Sequence, residues 1–99
     1  MELGGCIYIM TNYKRTVYYV GVTSDLFSRI YEHKSMKYPD SFTARYQLKY
    51  CVYYEVLFTI TEAIDREKQV KKYRRSKKEA LVNSINPYWN DLWNEIKEW

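Results

Sequence analysis

Two short apolar runs open the pattern of this chain, Cys6-Ile7-Tyr8-Ile9-Met10 and Val17-Tyr18-Tyr19-Val20-Gly21. Val, Ile and Tyr fill both runs. The gap Asn12-Tyr13-Lys14-Arg15 is turn-like, and the pattern predicts a β-hairpin. Strand side chains alternate between faces. A hairpin with Tyr13-Lys14 at its tip therefore sets Tyr8 opposite Tyr19, with both hydroxyls on one face. After Gly21 the period changes. Ser24 or Asp25 can cap a helix over about Leu26 to Lys34, in which Leu26, Ile30 and His33 share a face. Arg29 lies at the edge of that face, one turn before His33, so the two can project to one place.

The pattern breaks up from Ser35 to Lys49, and Met36 to Ser41, with Pro39 inside it, reads as a loop. Tyr50-Cys51-Val52-Tyr53-Tyr54-Glu55-Val56-Leu57-Phe58 is the clearest strand. Its apolar and aromatic residues occupy both parities, which predicts the central strand, covered on both faces. A long helix follows from near Ala63, with Ala63, Ile64 and Val70 as its apolar stripe and Tyr73 at the margin. Glu67 falls inside that stripe. A carboxylate placed inward needs a partner; an ion pair with Arg74 or Arg66 and a metal ion satisfy that need equally well. Ala80, Leu81, Val82 and Ile85 predict a second short helix. Asn86-Pro87 breaks it and is suited to cap and start another. Trp89, Leu92, Trp93 and Ile96 recur at helical spacing, as in an amphipathic C-terminal helix packed on the domain. The fold class is α/β, more narrowly α+β, built on a small three-stranded sheet.

Length and charge narrow the picture. The chain has 99 residues, enough for one domain with a modest core. No run is apolar enough to span a bilayer. The start, Met1 to Gly5, lacks the layout of a signal peptide, so the expected location is the cytoplasm. Cys6 and Cys51 both sit in strand-like runs and read as core residues, and with a single histidine, His33, a zinc site is not expected. The net charge is +4. From Arg66 to Lys78 there are eight Lys or Arg and one acid, a clustering that favours a polyanionic partner such as nucleic acid; its plainer reading is a solvated helix face, which basic helices often are.

Taken together, these residues resemble the GIY-YIG nuclease family. Cys6-Ile7-Tyr8 stands at its first signature and Tyr19-Val20-Gly21 at its second. The likeness runs on through Leu26, Arg29 and His33 to Glu67 and to Pro87-Tyr88-Trp89-Asn90. Gly21 to Leu26, with Arg29 and Glu32-His33-Lys34, looks most like the small stand-alone bacterial members related to the incision subunit of excision repair. Residues 1–90 would form the nuclease-like domain and residues 91–99 a helical tail. Cys6 replaces the first glycine of the signature. Val22 stands where repair enzymes often carry lysine.

The resemblance implies an antiparallel sheet flanked by helices and hydrolysis of DNA phosphodiesters with one divalent cation, Mg²⁺ or Mn²⁺, in a DNA-repair setting. It implies Tyr8 and Tyr19 as the signature tyrosines, Arg29 as the essential arginine, His33 as a histidine of the homing-endonuclease branch, Glu67 as the metal ligand and Asn90 as a further site residue. Arg29 offers a planar fork for phosphate oxygens; its plainer role is an ion pair with Glu32. Tyr8 is the expected base, its pKa lowered by Arg29 and the metal, with His33 as the rival or a relay. Lys34, Lys71, Lys72, Arg74, Arg75 and Lys78 would grip DNA backbone without reading sequence. The competing readings are a non-catalytic nucleic-acid-binding module and an interaction domain using Trp89, Trp93 and Trp99. The expected oligomeric state is a monomer.

Overall fold

The structure, a computed structural model, describes residues 4–98. Trp99, one of the three tryptophans invoked for an interaction surface, lies outside the described residues. The elements run β1 (Gly5–Thr11), β2 (Tyr18–Thr23), α1 (Leu26–Ser35), α2 (Phe42–Arg45), β3 (Tyr50–Leu57), α3 (Ile60–Lys71), α4 (Arg75–Ile85) and α5 (Trp93–Ile96). The sheet is antiparallel in the order β2-β1-β3.

The central strand is therefore β1, not β3 as the pattern suggested. All seven residues of β1 are buried, and Cys6, Tyr8 and Met10 face one layer while Ile7 and Ile9 face the other. The aromatic content of β3 misled because tyrosine is apolar along its ring and polar at its tip. Tyr53 and Tyr54 use that tip, donating to Glu55 and Glu95. An edge strand carries unpaired backbone groups, and the C-terminal segment covers some of them. Leu92 N donates to Cys51 O at 2.7 Å, Asp91 Oδ1 accepts from Cys51 N, and Asn86 Nδ2 donates to Val52 O. These contacts fall where the β1–β3 register slips by one residue.

The hairpin register also differs from the expected one. Tyr8 pairs with Gly21, and Tyr19 with Met10, two residues displaced from a Tyr8–Tyr19 pair. The cause is the loop, which is longer than a two-residue turn. Asn12 Oδ1 accepts from the backbone N–H of Thr16 and Val17, and Arg15 takes a left-handed φ of 58°. The shift is even, so both tyrosines keep the same face. Gly21 is then indispensable. A Cβ there would lie 2.3 Å from the Tyr8 ring, so only glycine lets the phenol cross over β2.

The helices divide between the faces. Leu26 and Ile30 of α1 and Ile96 of α5 pack with Cys6, Tyr8 and Met10; Val70 of α3 and Val82 of α4 pack with Ile7, Ile9 and Val20. Asp25 caps α1 through Ser28 N. Helix α3 starts at Ile60, one turn before Ala63, because Thr59 caps it through Glu62 N. The unpatterned stretch from Ser35 to Lys49 contains α2, which follows the expected loop and is capped by its last residue, Ser41. The C-terminal helix is far shorter than its spacing suggested. Asn86 ends α4, and its side chain closes a turn over residues 87–90 by bonding Asn90 N and Asn90 O. Trp89 and Trp93 consequently pack on opposite faces of the sheet rather than on one helix side.

Candidate active site

Helix α1 and strand β1 bring three of the expected residues into one hydrogen-bonded chain. Arg29 Nε donates to Tyr8 Oη at 3.3 Å, Tyr8 Oη lies 2.9 Å from His33 Nε2, and His33 Nδ1 lies 3.0 Å from Thr43 Oγ1. Tyr8 is 1% exposed and His33 5%. The phenolic hydrogen needs an acceptor, and among the described residues the one bonded to it is His33 Nε2, since Arg29 can only donate. Tyr8 thus donates to His33, and the neutral imidazole carries its hydrogen on Nδ1 and donates to Thr43. Thr43 in turn lies 3.2 Å from Ser41 Oγ. No buried side-chain nitrogen or oxygen among the described residues lacks a partner.

Tyr19 joins by ring contact. Its centroid is 6.3 Å from Tyr8 and 5.9 Å, edge-on, from His33. Arg29 is one-third exposed and bonds Glu32 at 3.1 Å, the ion pair foreseen as its plainer role. That bond holds the Glu32 carboxyl below its usual range. The guanidinium also lies over the ring of Tyr38 at 5.9 Å. Arg29 is therefore the polar group by which this chain of residues reaches the surface.

Charge states follow from burial. Desolvation pushes the Tyr8 phenol well above its usual value, and Arg29 only partly opposes this. The expectation of a lowered Tyr8 pKa is reversed for the protein without metal: a phenol enclosed by the core loses more solvation than one guanidinium restores. Burial, aided by Arg29, also pushes His33 down to about 4, so the imidazole is neutral at pH 7. Thr43 was not singled out in the sequence. The signal for it was Ser41 followed by Phe42-Thr43-Ala44-Arg45, a cap before helix-compatible residues.

Glu67 and Asn90 are placed elsewhere. Glu67 lies on the sheet-facing side of α3 with Ala63 and Val70, its side chain 13% exposed, and it pairs with Lys71 at 3.2 Å rather than with Arg66 or Arg74. Arg66 is bound to Glu55 instead. Helix α3 lies over β1 and β2 on the face opposite Tyr8. Among the described residues no hydrogen bond or ion pair joins Glu67 to Tyr8, Tyr19, Arg29 or His33. Asn90 is engaged through its backbone with Asn86.

The expected DNA-binding residues fall into two groups. Lys34 is half-buried and held by Asp91 and by Lys49 O. Lys71 holds Glu67, and Arg75 holds Glu79, Thr16 O and the Tyr18 ring. Lys72 and Arg74 are exposed and Lys78 half-buried. The basic run is also broken between α3 and α4 rather than lying along one helix.

The donor set bears on the metal. Among the described residues no cluster of three or more His, Cys, Asp or Glu could hold an ion. A single carboxylate suits Mg²⁺, which keeps most of its waters, and does not suit zinc. The Glu67 carboxylate has one oxygen engaged by a lysine that is half exposed and can swing away. The residues fit a weakly held hard cation.

Comparisons with known proteins bear on the family and the fold. The family model described as the GIY-YIG catalytic domain matches residues 4–80, a span that includes Tyr8, Tyr19, Arg29, His33 and Glu67 and ends before Asn90. A UPF0213 protein of Bacillus halodurans, solved in solution by NMR, is similar with 28% identity and a TM-score of 0.55, over 88% of this chain and 90% of that one. No curated protein matches the chain. No helix among the described residues is long and apolar enough to cross a membrane.

Proposed function

The chain belongs to the GIY-YIG family, and from that premise we propose that it is a divalent-metal-dependent endonuclease hydrolysing DNA phosphodiester bonds. The observation that carries this reading is the Arg29–Tyr8–His33 chain, which sets a guanidinium at the surface directly on a phenol already bonded to a neutral imidazole. Arg29 would bind non-bridging phosphate oxygens in pairs and oppose their growing charge in the transition state. Water attacks phosphorus, the new O–P bond forms, and the bond to the leaving 3′ oxygen breaks. The proton lost by water passes to Tyr8 Oη as Tyr8 passes its own to His33 Nε2. Thr43 keeps the imidazole in the tautomer that can accept it. The leaving oxygen takes a proton from solvent. Tyr19 packs against both rings and fixes their orientation. A divalent cation on Glu67 would supply Lewis-acid charge at the phosphate and leaving oxygen.

Glu67 is carried by α3, which packs on β1 and β2 from the face opposite Tyr8, and the Tyr8 hydroxyl lies against Gly21 of β2. A phosphate gripped by Arg29 would have to meet a cation on Glu67 from across the sheet. Nicking of single-stranded or branched DNA with Mg²⁺ or Mn²⁺ tests the reading. Wild type is expected to cut, and Glu67→Ala and Arg29→Ala to lose at least about 100-fold. Intact DNA with wild type, or equal cutting by all three, would sink it. A second reading, a nucleic-acid-binding module without turnover, is favoured by the closure of Tyr8 from solvent. It expects salt-dependent binding that survives Glu67→Ala, with no nicking. A role in DNA repair and a cytoplasmic location belong to the same proposal.

A further inference from the structure

We propose that the cleft between the β1–β2 loop and the connection from α2 to β3 binds a stretch of single-stranded DNA next to the reacting phosphate; the choice of DNA rests on the nuclease reading. The cleft encloses about 460 Å³. Tyr13, Tyr46 and Tyr50 supply rings to its lining, Lys14, Arg45 and Lys49 supply cations, and among the described residues no acid lines it. Among the described residues none of these three cations is in an ion pair, whereas Arg29, Lys34 and Lys71 each are. Unneutralised cations around an acid-free cleft call for an anionic occupant.

The rings say which anion. Tyr13 is 72% exposed and Tyr46 48%, in a protein whose β1 tyrosine is sealed. The floor is braced. Arg15 lies 4.6 Å over the Tyr50 ring and donates to Tyr13 O and Trp89 O, and Tyr13 and Tyr50 are 6.2 Å apart. From the cleft, a rail of rings leads back to the site: Tyr46 to Phe42 at 4.7 Å, Phe42 to Tyr19 at 6.3 Å, Tyr19 to Tyr8 at 6.3 Å. Helix α2 serves both ends, because Thr43 bonds His33 while Arg45 lines the cleft. Exposed rings flanked by cations fit unstacked bases on a charged backbone. A duplex keeps its base faces stacked on one another and offers them to no ring, so the occupant is a single strand.

The test is fluorescence anisotropy of a labelled single-stranded oligonucleotide, and of a hairpin duplex, with the full chain in chelator. Tyr46→Ala and Tyr13→Ala are expected to weaken single-strand binding by about 5- to 100-fold each. Duplex binding is expected to stay unchanged, and Tyr46→Phe to bind as wild type. Replacing Lys14, Arg45 and Lys49 by Ala together is expected to lower the salt slope for the single strand by about 2. Melting curves confirm that each variant is folded. Unchanged single-strand affinity in the Tyr variants, or an equal loss on duplex, overturns the proposal. Nicking separates the two readings. If wild type cuts and the cleft variants bind normally, the cleft falls alone. If wild type binds through the cleft and cuts nothing, the nuclease reading falls and the cleft stands.

Discussion

An imidazole that is buried and bonded at both nitrogens resists protonation, and His33 is such a group. Its pKa is depressed in the folded state to about 4, against ~6.5 in an unfolded chain. Between those values the unfolded chain binds more protons, so stability is full above ~6.5 and is lost as pH falls toward 4. The expected loss is about 2–3 kcal/mol across that window. Urea titrations at pH 7 and pH 4.5 check it, with His33→Gln showing a shallower pH slope over that window than wild type. Catalysis should share the sign. The rate should hold through pH 6.5 and fall only below about 5; a rate already halved at pH 6.5 would mean that His33 titrates as an ordinary surface histidine. Arg29→Lys should rescue little of the Arg29→Ala loss, because lysine has no planar fork for two phosphate oxygens.

Strands and helices differ in how much a single change disturbs them. Gly21 is the point where β2 yields to the Tyr8 ring, with 2.3 Å left for a Cβ. Gly21→Ala is expected to cost about 1–3 kcal/mol by overpacking, and to push Tyr8 off His33 with loss of any nicking. A melting temperature equal to wild type would refute this. Helix α2 has four residues and stands by its Ser41 cap and by the Thr43–His33 bond. Thr43→Val should leave Nδ1 of a buried histidine unpartnered, at about 1–3 kcal/mol. The change should appear in the ring-nitrogen shifts of His33 by NMR. Both elements were only half legible beforehand. The hairpin and α1 follow from period and capping, which are local. The register does not, because one side chain, Asn12, lengthens the loop and displaces the pairing by two residues. Helix α2 was hidden because four residues are too few to show a period.

Over the whole molecule, the C-terminal segment acts as the clasp of the sheet edge. It sends Leu92 N to Cys51 O, Asp91 to Lys34 and Cys51 N, and Ile96 into the core beside Tyr8. Truncation after Asn86 should therefore destabilise the protein itself, by more than the ~2–5 kcal/mol of a single emptied core position. Loss of a partner with an unchanged melting temperature would instead restore an interaction role for Trp89 and Trp93. The layers also decide how the site is shared. Helix α1 brings Arg29 and His33 to the phenol on one face, while α3 carries Glu67 under the other. Metal-soaked coordinates with an ion on Glu67 within reach of a phosphate held by Arg29 would join the two faces in one site, and an ion bound away from Glu67 would remove Glu67 from the reaction.

Local signals in the amino-acid order were enough for three strands, the first helix with its cap, the inward stripe holding Glu67, and Arg29 with His33 toward one side of that first helix. Each of these depends on spacing within a single element, where period and stereochemistry act over a few residues. Strand order, the two-residue displacement of the hairpin, the reach of Tyr8 across Gly21, the use of Thr43 and the separation of Trp89 from Trp93 depend on contacts between residues distant along the chain. The protonation of Tyr8 and His33 belongs with them, because a pKa is set by what surrounds a group in space, and no neighbour in the chain reveals how completely water has been excluded.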